Sequence, residues 1–183
     1  MKRVLVEMEK LKNPNSGLGQ FCLHLGNQFH RLRHPQLEIE YFLPKTNQLA
    51  FGEQTQAVLQ SPIHKLLPFR KKTYDIWHCV HQDSAYLPPK GKTKLILTIH
   101  DLNFLEKYKG LKRSLKLAKL QKKVDRADAI TVISRFTEET VLKHLKVDRP
   151  KIHVITNGNP LEKVENPAKP IHPIALQLLN VAY

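Results

Sequence analysis

The sequence predicts an α/β protein built on a doubly wound parallel sheet of the Rossmann-like type. Segments typical of strands alternate along the chain with segments typical of helices, which indicates parallel strands joined by helical crossovers. Nearly all of the strand segments are apolar throughout, as in sheets that helices cover on both faces, and the clearest of them begins at Lys94 and ends at His100 and Asp101. A glycine-containing loop joins the first strand to the first helix. At 183 residues the chain has room for one such domain, predicted at 1–159.

The first part of the chain supplies two strands and one long helix. A short strand at 4–6 is followed by a polar loop at 12–19. Apolar residues then recur at helical spacing, at Phe21, Cys22, Leu25, Phe29 and Leu32. This helix is predicted to end near Pro35, because proline disfavours helical backbone in the residue before it. The second strand is predicted at 37–43.

The segment 45–73 lacks sustained periodicity, and only short helical turns are predicted in it, near 54–59 and 63–67. Further strands are predicted at 76–80, 95–99, 129–133 and 152–155. A long helix follows Gly110. Ser134 is predicted to cap the next helix by accepting a hydrogen bond from a free backbone N–H.

The composition changes after 159. Prolines stand at Pro160, Pro167, Pro170 and Pro173, where they break any regular element. We therefore expect 160–175 to be an interdomain linker. The apolar stretch 176–183 suits the first strand of a second domain.

Positive charge dominates the composition, since thirty Lys and Arg residues against sixteen Asp and Glu give a net charge of +14. Five basic residues of the long helix fall within roughly 80° of its circumference. They are Lys112, Lys116, Lys119, Lys123 and Arg126. Such a stripe is ordinarily a solvated surface, although anionic lipid headgroups or nucleic-acid phosphates would also fit it. The sequence has no common nucleic-acid-binding signature, so no specific nucleic acid is expected.

The cysteines and the amino terminus bear on the location of the protein. Cys22 and Cys79 are the only cysteines and lie in apolar segments, which indicates buried free thiols in a reducing compartment. The apolar run 4–6 ends at Glu7 and is too short for a signal peptide or a membrane span. We expect a cytoplasmic protein, with peripheral binding to the inner face of the plasma membrane as a hypothesis from charge alone.

The loop Ser16-Gly17-Leu18-Gly19 places two glycines where the first helix begins. Free N–H groups and the positive end of a helix suit a phosphate, and glycine lets a ligand approach the backbone. The alternative is a tight turn between strand and helix that needs positive φ and binds nothing. The loop is not a full G-x-G-x-x-G pattern, so a dinucleotide site is poorly supported.

His100 and Asp101 stand at the carboxyl end of a central strand, where ligands bind in open parallel sheets. Both side chains can hydrogen-bond a sugar hydroxyl or balance charge during group transfer. The alternative is structural, with the His100 ring bonded to a neighbouring carbonyl and Asp101 capping the following turn.

A metal site is not expected. His78, Cys79 and His81 are metal-type ligands, but the side chains of neighbouring strand residues point to opposite faces of the sheet. No carboxylate or second cysteine pair completes a set with them.

Four segments in this order and spacing resemble the amino-terminal domain of a glycosyltransferase family 4 enzyme of the GT-B fold. They are the loop 16–19, 97–102 (LTIHDL), 125–134 (DRADAITVIS) and 151–158 (KIHVITNG). The resemblance implies an enzyme that moves a sugar from a nucleotide-sugar donor to an acceptor with retention at the anomeric carbon. The acceptor is expected to be a cell-surface or lipid-linked glycan, selected by variable loops such as 45–73.

The resemblance also implies roles for particular residues. His100 would contact the transferred sugar, and Asp101 would line the same cleft. The resemblance implies that most of the donor is held by a carboxyl-terminal donor domain, of which 176–183 would be the start, so the sequence is interpreted as a truncated half of the enzyme. The backbone of Gly17 and Gly19 would approach the donor phosphates across the cleft. The other residues expected to bind the donor or shape the cleft are Leu18, Ser134, Arg135, Asn157 and Gly158. No tightly bound cofactor and no metal is implied, because positive side chains and helix ends neutralise the leaving diphosphate.

A second class of function stays open. The same sheet could belong to a non-catalytic basic module that binds an anionic ligand, a membrane surface or nucleic acid. The DNA downstream of Tyr183 distinguishes the two, because an open frame that continues for another domain favours the enzyme.

Overall fold

The computed structural model of the protein describes residues 1–32, 34–65, 72–89 and 91–158. Across these residues, seven parallel strands form one sheet. The strands are β1 Lys2–Glu7, β2 Leu37–Leu43, β3 Ala57–Leu59, β4 Ile76–Cys79, β5 Lys94–Ile99, β6 Ala129–Val132 and β7 Ile152–Val154. The α-helices are α1 Gly17–Leu32, α2 Phe104–Lys107, α3 Gly110–Arg126 and α4 Arg135–His144. The predicted doubly wound parallel sheet is confirmed.

The order of the strands across the sheet is β3-β2-β1-β4-β5-β6-β7. The chain builds outward from β1 to β3 and then returns to the other side of β1, where β4 pairs with it and Glu7 lies opposite Cys79. This reversal between β1 and β4 is the position where open α/β sheets bind ligands, at the carboxyl ends of the strands. The loops after β1, β4 and β5 therefore border one crevice.

The core lies on both faces of the sheet. On one face, α3 and α4 contribute Leu120, Val124 and Val141, which pack in one cluster with Leu97 and other strand residues. On the other face, α1 packs against β1 and β2 through a second cluster. Its buried members include Val4, Val6, Cys22, Tyr41 and Leu43. Alternate residues of a strand point to opposite faces, so strands covered on both sides are apolar along their whole length.

Most predicted elements are present, and one was wrong. The second strand spans 37–43 as predicted. The helical turn expected near 54–59 is instead β3, which pairs with β2 in parallel. Three residues are too few to show a period of two, and the strand exists because β2 offers a free edge. A 3₁₀ turn at Pro62–Lys65 matches part of the turn predicted at 63–67.

Other predictions have mixed outcomes. Cys22 and Cys79 are both buried and free, as predicted. The linker at 160–175 and the stretch 176–183 lie outside the described residues. Among the residues that are described, no helix is both long and apolar enough to cross a lipid bilayer.

Candidate functional site

The start of α1 is closed on one side by Ser16. Its Oγ accepts a hydrogen bond from the Gly19 N–H at 3.1 Å and donates one to the Asn13 carbonyl at 2.7 Å. In the described part of the chain, no hydrogen bond uses the N–H groups of Gly17 and Leu18. Gly17 is exposed. These two donors lie at the positive end of a sixteen-residue helix, which is a geometry that suits an anion.

The two glycines of this loop are present for different reasons. A Cβ at Gly19 would lie 2.1 Å from the Asn13 carbonyl oxygen, so only glycine fits against the preceding loop. A Cβ at Gly17 would have no heavy atom within 4 Å. Neither residue has positive φ, so the left-handed turn expected in the structural alternative is not present in this loop. Internal packing explains Gly19 and leaves Gly17 available for a ligand.

His100 lies beside this helix start. Its ring packs edge-on against Phe21 of α1, with 4.6 Å between ring centroids. The ring is buried with 6% exposed, and its Nε2 donates a hydrogen bond to the Val80 carbonyl at 2.9 Å. The structure thus brings together the histidine and the glycine loop, which are about eighty residues apart in the sequence.

The protonation of His100 follows from these contacts. A carbonyl oxygen can only accept, so Nε2 carries the hydrogen, and Nδ1 has no partner in the part of the chain that is described. Burial lowers the pKa of His100 below its ordinary value, which the bond to Val80 and the charge of Asp101 partly offset. A neutral ring with a free Nδ1 accepts a hydrogen bond from a ligand hydroxyl.

Asp101 turns toward its own loop. Its Oδ1 accepts the Asn103 N–H at 2.9 Å, which is the turn-capping contact of the structural alternative. Its backbone carbonyl accepts a hydrogen bond from the Gln82 side chain at 2.9 Å. The structural alternative therefore describes the geometry of both His100 and Asp101, and it leaves the His100 Nδ1 free.

The start of α4 is joined to His100 through Thr137. Ser134 caps the helix as predicted, because its Oγ accepts the Thr137 N–H at 3.1 Å. The Thr137 hydroxyl donates to the His100 carbonyl at 3.1 Å. Arg135 is exposed at the first position of α4.

Asn157 and Gly158 lie farther from His100. They follow β7, which is two strands away from β5, or roughly 10 Å at the usual spacing between strands. Both are exposed. Within the described ranges, no hydrogen bond joins either residue to the group around His100.

Sequence reasoning overlooked Glu7, the last residue of β1. It is 1% exposed, and its Oε1 accepts hydrogen bonds from the Glu9 N–H at 2.5 Å and from Gln60 Nε2 at 3.3 Å. Burial raises the pKa of Glu7 to about 7. The sequence does contain a signal for Glu7, because a carboxyl group at the end of an apolar strand occupies the same kind of position as His100.

The cationic stripe of α3 is smaller than predicted. Lys112 and Lys119 are exposed and Lys116 is half-buried, but Lys123 is buried and donates hydrogen bonds inward. The Arg126 guanidinium donates to the carbonyls of Pro88 and Pro89. Lys123 does not belong to the surface stripe, because this end of α3 packs deeply and the neighbouring Leu120 and Val124 are buried as well.

The metal-type residues serve other contacts. His78 Nε2 is 2.8 Å from the Thr98 hydroxyl, and the Cys79 thiol donates to the Tyr86 carbonyl at 3.4 Å. In the portion of the chain that the structure covers, no three His, Cys, Asp or Glu side chains form a group able to hold a metal ion.

The fold and the candidate site define a Rossmann-like domain in which a glycine-containing helix start and a buried histidine lie together at the carboxyl edge of the sheet. The chain matches the model of Glycosyltransferase Family 4 over residues 16–163. It therefore belongs to this family, and its sheet is that of one half of a GT-B enzyme. A comparison with curated proteins found no match.

Proposed function

We propose that this chain is the acceptor-side domain of a retaining glycosyltransferase that uses a nucleotide-sugar donor. Family membership over 16–163 is the observation that carries the proposal. The acceptor is a cell-surface or lipid-linked glycan, seated near the loops that follow β1 to β3. The donor reaches the crevice from the side opposite the sheet.

The start of α1 would stabilise the departing diphosphate. Negative charge develops on the leaving group as the bond to the sugar breaks, and fixed N–H donors stabilise that charge without reorganising. Gly17 and Leu18 supply two such donors, and Arg135 adds a positive side chain at the same edge. This arrangement supports transfer in which protein groups, and no metal ion, neutralise the diphosphate.

His100 would orient the transferred sugar. Its Nδ1 accepts a hydrogen bond from a sugar hydroxyl, while Nε2 stays bonded to the Val80 carbonyl. A neutral imidazole adds no positive charge that would compete for the diphosphate. Asp101, Ser134 and Asn157 would line the crevice around the sugar and nucleotide.

A transfer assay tests this function. The longest open reading frame that contains this sequence is expressed and screened with nucleotide sugars for release of the nucleoside diphosphate. His100→Ala should lower kcat/KM by about tenfold to a hundredfold, the loss expected for one hydrogen bond to a ligand in a buried site. His30→Ala is the control, since His30 is exposed near the far end of α1. Undiminished activity in His100→Ala would remove this residue from the site.

We also propose that α3 holds the enzyme at an anionic membrane surface. Leu111 is 76% exposed and Leu115 is 62% exposed, and they stand one turn apart beside Lys112 and Lys116. Exposed leucines among lysines fit a lipid surface better than nucleic acid, because the lipid interface receives both apolar and positive groups. The protein would therefore sit on the inner leaflet.

Vesicle binding tests this location. The double variant Lys112→Glu/Lys116→Glu should bind anionic vesicles at least ~30-fold more weakly at low salt, from about 1 kcal/mol for each basic residue. Lys143→Glu is the matched control, since it makes the same charge change at an exposed site on α4. Equal binding of the wild type to neutral and anionic vesicles would refute the proposal.

A further inference from the structure

We propose that Gln82 is a positioning residue for His100 and that Lys123 holds Gln82 in place for this task. The inference rests on the proposed function, in which His100 contacts the sugar. It assigns a role to two buried polar side chains that lie behind the site. Neither of them needs to touch the ligand.

Gln82 braces the backbone at the end of β5. Its Oε1 accepts the His100 N–H at 3.1 Å, and its Nε2 donates to the Asp101 carbonyl at 2.9 Å. One carboxamide thus bonds two consecutive residues beyond the last residue of the strand. Only an amide side chain offers a donor and an acceptor together in this way at every pH. Gln82 is 5% exposed, so solvent does not compete for these bonds.

Lys123 fixes the loop that carries Gln82. Its Nζ donates to the Gln82 carbonyl at 2.6 Å and to the Ser84 carbonyl at 2.8 Å. A buried ammonium is costly unless it is hydrogen-bonded, and here it satisfies two buried carbonyls of an irregular loop. An apolar residue at this place in α3 would fill the space and leave both carbonyls without this donor.

The same loop controls the imidazole itself. The Val80 carbonyl accepts the His100 Nε2–H, and the His81 ring stacks on the His100 ring with 5.6 Å between centroids. His81 is itself fixed, because its Nδ1 accepts the Asp83 N–H at 3.0 Å. A shift of the loop therefore moves the carbonyl that selects the Nε2–H tautomer of His100. The free Nδ1 depends on that selection.

A purely structural role makes a different prediction. If Gln82 and Lys123 only stabilise the loop, their loss lowers the free energy of unfolding while the His100 ring in the folded molecules keeps its tautomer. If they position His100, the ring of the folded molecules changes as well. The state of the imidazole nitrogens separates the two roles.

The experiment records imidazole ¹⁵N spectra of the histidine-labelled chain and its variants between pH 5 and 8. The wild type should show His100 with a protonated Nε2 and an unprotonated Nδ1. In Gln82→Leu and Lys123→Met, the other tautomer should become observable in the folded protein, and amide exchange at His100 should accelerate at least about tenfold. Lys122→Met is the matched control, since Lys122 is an exposed lysine next to Lys123 on the same helix.

Two further variants keep the test decisive. Gln82→Asn retains the amide but is one methylene shorter, so it replaces Gln82→Leu if that variant does not fold. Gln82→Glu keeps an acceptor for the His100 N–H and loses the donor to the Asp101 carbonyl, so an intermediate change is expected. An unchanged His100 spectrum in folded Gln82 and Lys123 variants would overturn the proposal, as would a wild-type ring protonated at Nδ1.

Activity in the full reading frame separates this inference from the function beneath it. The Gln82 and Lys123 variants should lower kcat/KM for the sugar donor by about tenfold, and Lys122→Met should not. If the variants alter the His100 spectra but the wild type has no transfer activity, the proposed function is refuted and the positioning role is retained. If variants with altered spectra have normal activity, the positioning role is refuted.

Discussion

Gly19→Ala should destabilise the protein by about 3 kcal/mol. The new Cβ would lie 2.1 Å from the Asn13 carbonyl oxygen, where ordinary contact begins at 3.4 Å, so the loop must move by more than 1 Å. That carbonyl also accepts two hydrogen bonds from Ser16, at 3.0 Å and 2.7 Å. Overpacking costs about 1–3 kcal/mol and each weakened bond about 1 kcal/mol, while the better helix propensity of alanine returns about 1 kcal/mol.

Gly17→Ala makes the same chemical change two residues earlier, at a position where a Cβ meets nothing within 4 Å. We expect its stability to rise by about 0.4–1 kcal/mol, because alanine reduces the conformational freedom of the unfolded chain. The added methyl would nevertheless stand beside the free N–H groups of Gly17 and Leu18. In the active enzyme it should raise the KM for the nucleotide sugar by about tenfold.

Urea unfolding monitored by circular dichroism measures both stabilities on the isolated chain. The midpoint should fall clearly in Gly19→Ala and stay the same or rise in Gly17→Ala, with the slope unchanged. If Gly19→Ala is as stable as the wild type, the loop packing described for Asn13 is wrong. If Gly17→Ala is stable and binds the donor normally, the helix start does not hold the diphosphate.

Three further predictions concern pH and helix capping. Burial lowers the pKa of His78 and His81 to about 4 and also lowers the pKa of His100. Because the unfolded chain then binds protons that the folded chain does not, the free energy of unfolding should fall as the pH drops from about 6.5 toward 4. The expected fall is up to about 1.4 kcal/mol per pH unit for each histidine. A free energy of unfolding, measured in urea, that stays constant over this pH range would contradict this prediction. The pKa of Glu7 is raised, so the wild type loses stability as the pH rises from about 4.5 to 7. The free energy of unfolding of Glu7→Gln, relative to the wild type, should therefore be higher at pH 8 than at pH 4 by up to about 3 kcal/mol. Equal stability differences at both pH values would refute this. Ser134→Ala should cost about 1 kcal/mol in urea unfolding, and no loss would mean that the cap contributes nothing.

The sheet could be predicted because most of its strands are apolar. β5 is covered on both faces, and burial dictates its composition. β3 could not be predicted, since its three residues carry no periodic signal and its existence depends on pairing with β2. Local pattern thus found the strands from β2 to β7 across the sheet and missed β3 at one edge.

The location of the site could also be predicted, but not its internal bonding. His100 and the loop before α1 follow strand ends, and parallel strands bring their carboxyl ends to one edge of the sheet. The role of Gln82 depends on two backbone groups of another loop, which no sequence pattern reveals. Lys123 was misplaced for a related reason, because helical periodicity gives the direction of a side chain and not the depth at which the helix packs.

The structural interpretation of His100 is compatible with the functional one, because its hydrogen bond to a carbonyl makes the proposed contact with the sugar possible. A histidine that bonds a carbonyl through Nε2 was expected to be a structural residue, and this contact with Val80 is present. The bond also fixes the tautomer, so a ring anchored in this way presents Nδ1 as an acceptor and does not alternate between two roles. The two glycines of the loop also have separate roles, since Gly19 packs against the Asn13 carbonyl and a Cβ at Gly17 would contact nothing. A site at the edge of a sheet therefore needs residues with internal partners as much as residues without them.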